Sequence, residues 1–370
     1  MTDASAASLT AMSRPGRAEV PASARAARIA SPTSGIEVVP HEVPEIGPQQ
    51  VLVRSAAVGI CGSDISALKG SRPAAFIRYP LIPGHEWAGT VAAVGAAVTG
   101  WVAGDRVAIA GLRRCGQCVR CRGGEPNLCE GGYAEIGFTE PGGLAEYVAV
   151  PACQLVAVPD SMSLSEAAVL EPAAVVALAV ASAGELSGRA VAVVGDGTLG
   201  QLAAQFARLG GAAGVTIFGT GSGRLAIAAA LGAHESVDVG DGDPNSDYRR
   251  RVHPGGADVV IETGGSVAAV ELSLALTRRG GLAVLTGVAG GEARLTLPSD
   301  LFVVSSLSVR GVVGSTPQSW QQAVSVAASG QLRLAPLVTH EFGLAEVARA
   351  YEVAGERAPG TLKVLIRHAD

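Results

Sequence analysis

In the second half of the chain the apolar residues come in short unbroken runs, not in strict alternation with polar ones. AVAVV (190–194), DVVI (258–261), LAVLTG (282–287) and LSVRGVVG (307–314) have the length and β-branched content of strands buried on both faces. After the first run comes QLAAQFARLGG (201–211), whose apolar positions recur at helical spacing, and then a second apolar strand, VTIFG (215–219). Strands alternating with helical stretches build a doubly wound parallel sheet, so this part is expected to be an α/β domain. A last strand, TLKVLI (361–366), returns near the end. The apolar run AAVVALAVA (173–181) directly follows the charge of Glu171 and is too short to span a bilayer, so no membrane segment is expected. Residues 1–26 contain no continuous apolar segment and read as a disordered Ser/Ala/Pro-rich tail without a secretory leader, which points to the cytoplasm.

Length and charge narrow the partners. A chain of 370 residues exceeds what one core usually serves, which predicts two domains. The net charge is −5 and no basic stripe interrupts the sequence, so neither nucleic acid nor an anionic membrane is an expected partner. A small molecule is.

The cysteines carry the first chemistry. Four of six fall in CGQCVRCRGGEPNLC, at Cys115, Cys118, Cys121 and Cys129. In a long, otherwise cysteine-poor chain such spacing favours a metal over disulfides, zinc ahead of an iron–sulfur cluster. Four thiolates leave no open position for a substrate, so the ion holds a lobe together, about 112–132, and catalysis belongs elsewhere. Two other stretches offer candidates: GICGSD with Cys61, and PGHEWAG with His85 and Glu86. Singly, the cysteine and histidine read as ordinary core residues and the glutamate as a solvated surface charge. Further on, Gly195, Gly197, Thr198, Leu199 and Gly200 form a G-x-G-x-x-G turn between a strand and a helix, the context in which glycines let backbone approach a pyrophosphate.

Cys, then His-Glu, then four clustered Cys, then a glycine-rich strand-turn-helix resembles the zinc-dependent medium-chain dehydrogenase/reductase superfamily, nearest its sorbitol and threonine dehydrogenase branch. The resemblance implies a GroES-like β-rich catalytic domain, 27–174 with a return at 314–370, and a Rossmann domain at 175–313. It implies one catalytic and one structural zinc per chain. Cys61 and His85 match catalytic zinc ligands, Glu86 the carboxylate beside the metal, and Asp64 the residue steadying the histidine. In LEPAA, Glu171 stands where alcohol dehydrogenases place a further cysteine. Ser63 matches the proton-relay hydroxyl, with Ser66 where some relatives have a histidine. The implied reaction interconverts a secondary alcohol and a ketone with NAD(P), through zinc polarisation of the substrate oxygen and hydride transfer. A polyol, sugar, cyclitol or amino alcohol is the expected substrate, lined by loops near 66–76 and 138–143. A zinc-independent reductase of activated double bonds and a non-catalytic nucleotide-binding relative are the alternatives. A homodimer or homotetramer is implied.

NAD-specific members of this fold end the second strand with an acid that accepts from the ribose 2′-OH. Gly219 takes that position here. Thr220, Ser222 and nearby backbone N–H groups could then cradle a 2′-phosphate, with Arg224 further along, so the balance tilts to NADP with NAD also used.

Overall fold

The computed structural model describes residues 20–240, 242–288, 290 and 293–369. The first part of the chain supplies β1 (Ser23–Arg28), β2 (Glu37–Glu42), β3 (Gln50–Ile60), β4 (Glu86–Val94), β5 (Arg106–Ile109), β6 (Tyr147–Pro151) and β7 (Leu155–Ala157). The middle supplies β8 (Ala190–Val194), β9 (Gly214–Gly219), β10 (Glu235–Asp238), β11 (Ala257–Glu262), β12 (Thr277–Leu285) and β13 (Ser308–Gly311). The end supplies β14 (Val338–Gly343) and β15 (Lys363–Arg367).

Residues 1–19 of the expected tail lie outside the described residues. Its last residues do not read as a tail: Ser23–Arg28 pairs antiparallel with β2. The small residues that looked like low-complexity sequence are useful there, because Ala26 and Ala27 are fully buried in the core beneath the mixed sheet.

That mixed sheet runs β14-β15-β3-β4-β5-β7, with β6 also paired to β3. Strand β3 is its hub and bonds antiparallel to β15, β4 and β6. It is long and apolar on both faces, as a strand must be when neighbours cover both sides. The return of the chain end, β14 and β15, thus belongs to the first sheet, although all six strands of the second sheet intervene in sequence.

The second sheet has the order β10-β9-β8-β11-β12-β13, and every pair is parallel. Counting from β8, this is the 3-2-1-4-5-6 order of a doubly wound fold, which opens a crevice beyond the strand ends of β8 and β11. The runs read from the sequence are its strands, with β12 beginning five residues earlier and β13 ending three residues sooner than expected. The helix Leu170–Ser182 is apolar nearly all round because it lies between helices Thr198–Leu209 and Pro317–Ala328, with Val176 and Ala177 fully buried. It runs without a break through residues 174 and 175.

Candidate active site and nucleotide turn

Three strand ends build the first site. Gly59 near the end of β3 sits opposite Glu86 at the start of β4, and Ile60 sits opposite Val364 at the start of β15. Cys61, His85, Glu86 and Lys363 therefore meet at one edge of the mixed sheet. The Cys61 sulfur, a His85 ring nitrogen and a Glu86 carboxylate oxygen lie within 4.8 Å of one another. Asp64 ties the first two down. Its Oδ2 accepts the Cys61 N–H at 2.9 Å, and its Oδ1 faces His85 Nδ1 at 3.4 Å.

His85 Nδ1 and Asp64 Oδ1 are buried and lack a full hydrogen bond. Burial opposes a charge on His85, but Asp64 and Cys61 outweigh it and raise its pKa well above the ordinary value. A cation arriving at this set would expel that proton, as histidine ligation requires. One thiol, one imidazole and one carboxylate, with a second carboxylate near, are the donor set of an open zinc site.

Glu86 is also ion-paired with Lys363, both side chains almost fully buried. Lys363 Nζ approaches the Ile60 carbonyl as well, at 3.4 Å. Reading TLKVLI as a strand did not single out Lys363. The signal was a lysine among residues alternating into a core, where a charge persists only with a partner.

Glu171 opens the helix Leu170–Ser182. It stands outside the group of three, yet it feels the same charges. Burial raises its pKa to about 8, with Glu86 and Glu135 adding to the shift and His85 and Lys363 opposing it. The residue keeps an exposed edge while its carboxyl is enclosed. Ser63 lies in the first turn of helix Gly62–Leu68, and its hydroxyl bonds no side chain or carbonyl among the described residues. Ser66 Oγ donates to the Gly62 carbonyl at 3.1 Å.

The loop near 138–143 contributes Phe138, whose ring lies 4.7 Å from the His85 ring. The Arg72 guanidinium also lies over the Phe138 ring, 3.6 Å from its centroid. Arg72 donates to the Tyr133 hydroxyl at 2.7 Å and pairs with Glu135 at 3.5 Å. This polar wall of Arg72, Tyr133 and Glu135 has no sequence motif, because three separate loop positions form it.

The four clustered cysteines gather around one point. All their sulfurs lie within 4.8 Å of one another, and Cys115 and Cys121 are 3.9 Å apart. A tetrahedron of thiolates around zinc places sulfurs about 3.8 Å apart, whereas a disulfide needs about 2 Å. Backbone N–H groups point at the sulfurs: Cys118 N to Cys115 Sγ at 3.4 Å and Cys115 N to Cys129 Sγ at 3.3 Å. The N–H groups of Glu130 and Cys121 lower the Cys118 thiol to about 6, while desolvation pushes Cys121 up to about 12. Thiolates in this loop have donors waiting for them.

The glycine turn follows β8. A Cβ on Gly200 would lie 1.8 Å from the Gly195 carbonyl, so helix Thr198–Leu209 can approach the strand only with glycine there. Gly197 caps that helix and faces open space, where a pyrophosphate could approach the backbone and the N–H groups of Thr198 and Leu199. The residue between the glycines, Asp196, is 7% exposed, and its Oδ2 accepts from the N–H groups of Thr220 and Gly221, both at 3.0 Å. Its Oδ1 lies 3.0 Å from Arg224 Nε. The backbone donors expected to cradle a phosphate are therefore already taken, and Arg224 is 9% exposed and engaged. Ser222 begins helix Ser222–Ala230.

Residues 47–160 match the alcohol dehydrogenase GroES-like domain family, and residues 198–329 match the zinc-binding dehydrogenase family. An L-threonine 3-dehydrogenase of Deinococcus deserti is 33% identical over 322 residues, 86% of this chain and 92% of that protein. This chain belongs to the zinc-binding alcohol dehydrogenase family. A sorbitol dehydrogenase of Arabidopsis thaliana is 34% identical to this dehydrogenase over 341 residues, 89% of the chain and 92% of the relative. A Sinorhizobium meliloti 1021 structure, described as a zinc-binding dehydrogenase bound to NADP, has a TM-score of 0.87 and 31% identity over 93% of this chain and 99% of that one. The β-rich sheet around β3 is the GroES-like part of the dehydrogenase, and the six-stranded parallel sheet is its Rossmann part. Among the described residues no helix is long and apolar enough to cross a membrane.

Proposed function

We propose that this dehydrogenase interconverts a secondary alcohol and a ketone on a polyol, sugar, cyclitol or amino alcohol, using NAD(P). The observation that carries the reading is the convergence of Cys61, His85 and Glu86 within 4.8 Å, in a chain that also holds the glycine turn. A zinc-independent reductase or a purely nucleotide-binding relative would have no use for that donor set.

Cys61 and His85 hold a zinc ion, with Glu86 and Glu171 as the carboxylates that complete or tune its shell. The chemistry supplied when zinc and nicotinamide are bound is polarisation of a substrate oxygen and hydride exchange at the carbon that bears it. Asp64 holds the His85 ring in one tautomer and orientation. Lys363 fixes Glu86 and offsets its charge. Ser63, two residues after Cys61, accepts the substrate's hydroxyl proton and passes it outward through the ribose, Ser66 or water. Gly195 to Gly200 hold the pyrophosphate. The lobe of Cys115, Cys118, Cys121 and Cys129 holds a structural zinc. The division into catalytic parts, 27–174 and 314–370, and a nucleotide-binding part, 175–313, is part of this reading.

The wall of Arg72, Tyr133 and Glu135 beside Phe138 supports a hydroxylated or amino-bearing substrate, because buried polar groups reject substrates that cannot satisfy them. The activities for which the threonine and sorbitol dehydrogenase relatives are named lie in the same class. Edge strand β13 is exposed along its length, and Val303 and Val313 nearby are 81% and 60% exposed. Pairing with a second copy along this edge supports a homodimer or a homotetramer. Four free thiols arranged for a metal fit the reducing cytoplasm. A screen of polyols, cyclitols and amino alcohols for change in nicotinamide absorbance tests the reading. Activity with at least one class, lost in Cys61→Ala, is expected; activity unaffected by that substitution overturns it.

A further inference from the structure

The absent acid at the end of β9 has a substitute. A Cβ on Gly219 would lie 2.3 Å from the Asp196 Cβ and 2.4 Å from its Oδ2, so the Asp196 carboxyl fills the space beside the strand end. An acid at 219 and an acid at 196 exclude each other sterically. The carboxylate here stands in the glycine turn, and glycine at the strand end leaves room for it.

We infer that Asp196 is the residue that selects the cofactor, and that it selects NAD over NADP. The inference rests on the dehydrogenase reading above and deepens it. Three observations carry it. The Asp196 carboxylate is nine-tenths buried and held by two backbone N–H groups and a guanidinium, so it cannot swing away from an incoming ligand. Those N–H groups, of Thr220 and Gly221, are the donors that a 2′-phosphate at this strand end would need. Arg224, a cation that could attract a phosphate, faces Asp196 through Nε, and donates to Thr220 Oγ1 at 3.3 Å and to the Arg357 carbonyl at 3.2 Å. A 2′-phosphate would have to take these donors from Asp196 while lying against its negative charge. A ribose 2′-OH has a proton to donate, and a carboxylate oxygen retains a lone pair to accept it.

The Sinorhizobium meliloti relative bound to NADP makes this a discriminating claim, since a chain of this fold can hold the phosphorylated nucleotide. Fluorescence titration of the purified full chain with NADH and with NADPH reads binding without substrate. NADH should bind at least tenfold more tightly, about 1.4 kcal/mol. Asp196→Asn should narrow that ratio at least tenfold, and the double substitution Asp196→Gly with Gly219→Asp, which returns the acid to the strand end, should restore it. Equal or tighter binding of NADPH by the unmodified chain overturns the inference. So does an unchanged ratio in folded Asp196→Asn. The unmodified chain and the double variant decide the matter if Asp196→Asn does not fold. Binding of neither nucleotide would overturn the dehydrogenase reading itself, and is thereby distinguished from failure of the Asp196 role.

Discussion

Lys363 and Glu86 form an ion pair with both side chains almost fully buried, where the ends of β3, β4 and β15 meet. Burial disfavours both charges, and each is tolerated because the other is there. Lys363→Met should therefore leave an uncompensated carboxylate and cost about 3–5 kcal/mol in denaturant unfolding. Adding Glu86→Gln should recover much of that loss. Equal destabilisation in the single and double variants would show that Lys363 matters through packing alone.

The cysteine lobe should behave as a separate metal centre. Zinc analysis of the purified chain is expected to give about two ions, and Cys118→Ser about one, with a lower unfolding temperature. Cys61→Ala should also remove about one ion, yet leave the unfolding temperature closer to that of the unmodified chain. A Cys118→Ser protein that keeps both ions and its full stability would rule out the structural role.

What could be read from the sequence was what local pattern encodes. The run before Gly195 and the helix after it identify a buried strand and a nucleotide turn without tertiary knowledge, and the spacing of Cys115 to Cys129 brings four sulfurs together within one loop. Lys363 was not legible, because its partner Glu86 lies 277 positions away and only strand register brings them together. Asp196 was hidden for another reason. The expectation looked for an acid at position 219, whereas the space beside that position is filled by a side chain from the preceding turn. Ser23–Arg28 was misread because small residues look alike in a tail and in a closely packed strand.

The polar wall predicts how substrate recognition divides between binding and turnover. Glu135 stands near Arg72 and Tyr133, beyond the group of Cys61, His85 and Glu86. Glu135→Gln should raise KM for the best polyol or amino alcohol by about tenfold, as expected for one lost hydrogen bond to a charged group, and leave kcat within a few-fold. Steady-state kinetics on the substrate found by screening checks it. A fall in kcat with unchanged KM would move Glu135 from recognition into the chemistry.

Burial raises the pKa of Glu171 to about 8 from an ordinary 4.5, against the opposing pull of His85 and Lys363. A raised acid pKa favours the folded state at low pH, and that contribution is lost as pH rises through the folded value. Zinc-free protein should thus lose stability between pH 4.5 and about 8, and Glu171→Gln should flatten part of that slope in denaturant titrations. A cation at Cys61 and His85 favours the ionised carboxylate and removes the penalty. In zinc-loaded protein the neutral amide should then lower turnover about a hundredfold or more, as loss of a charge facing the reacting centre does. NADH binding, read by fluorescence, should stay within a few-fold. Unchanged turnover, together with an unchanged pH slope, would make Glu171 a buried acid with no part in the reaction.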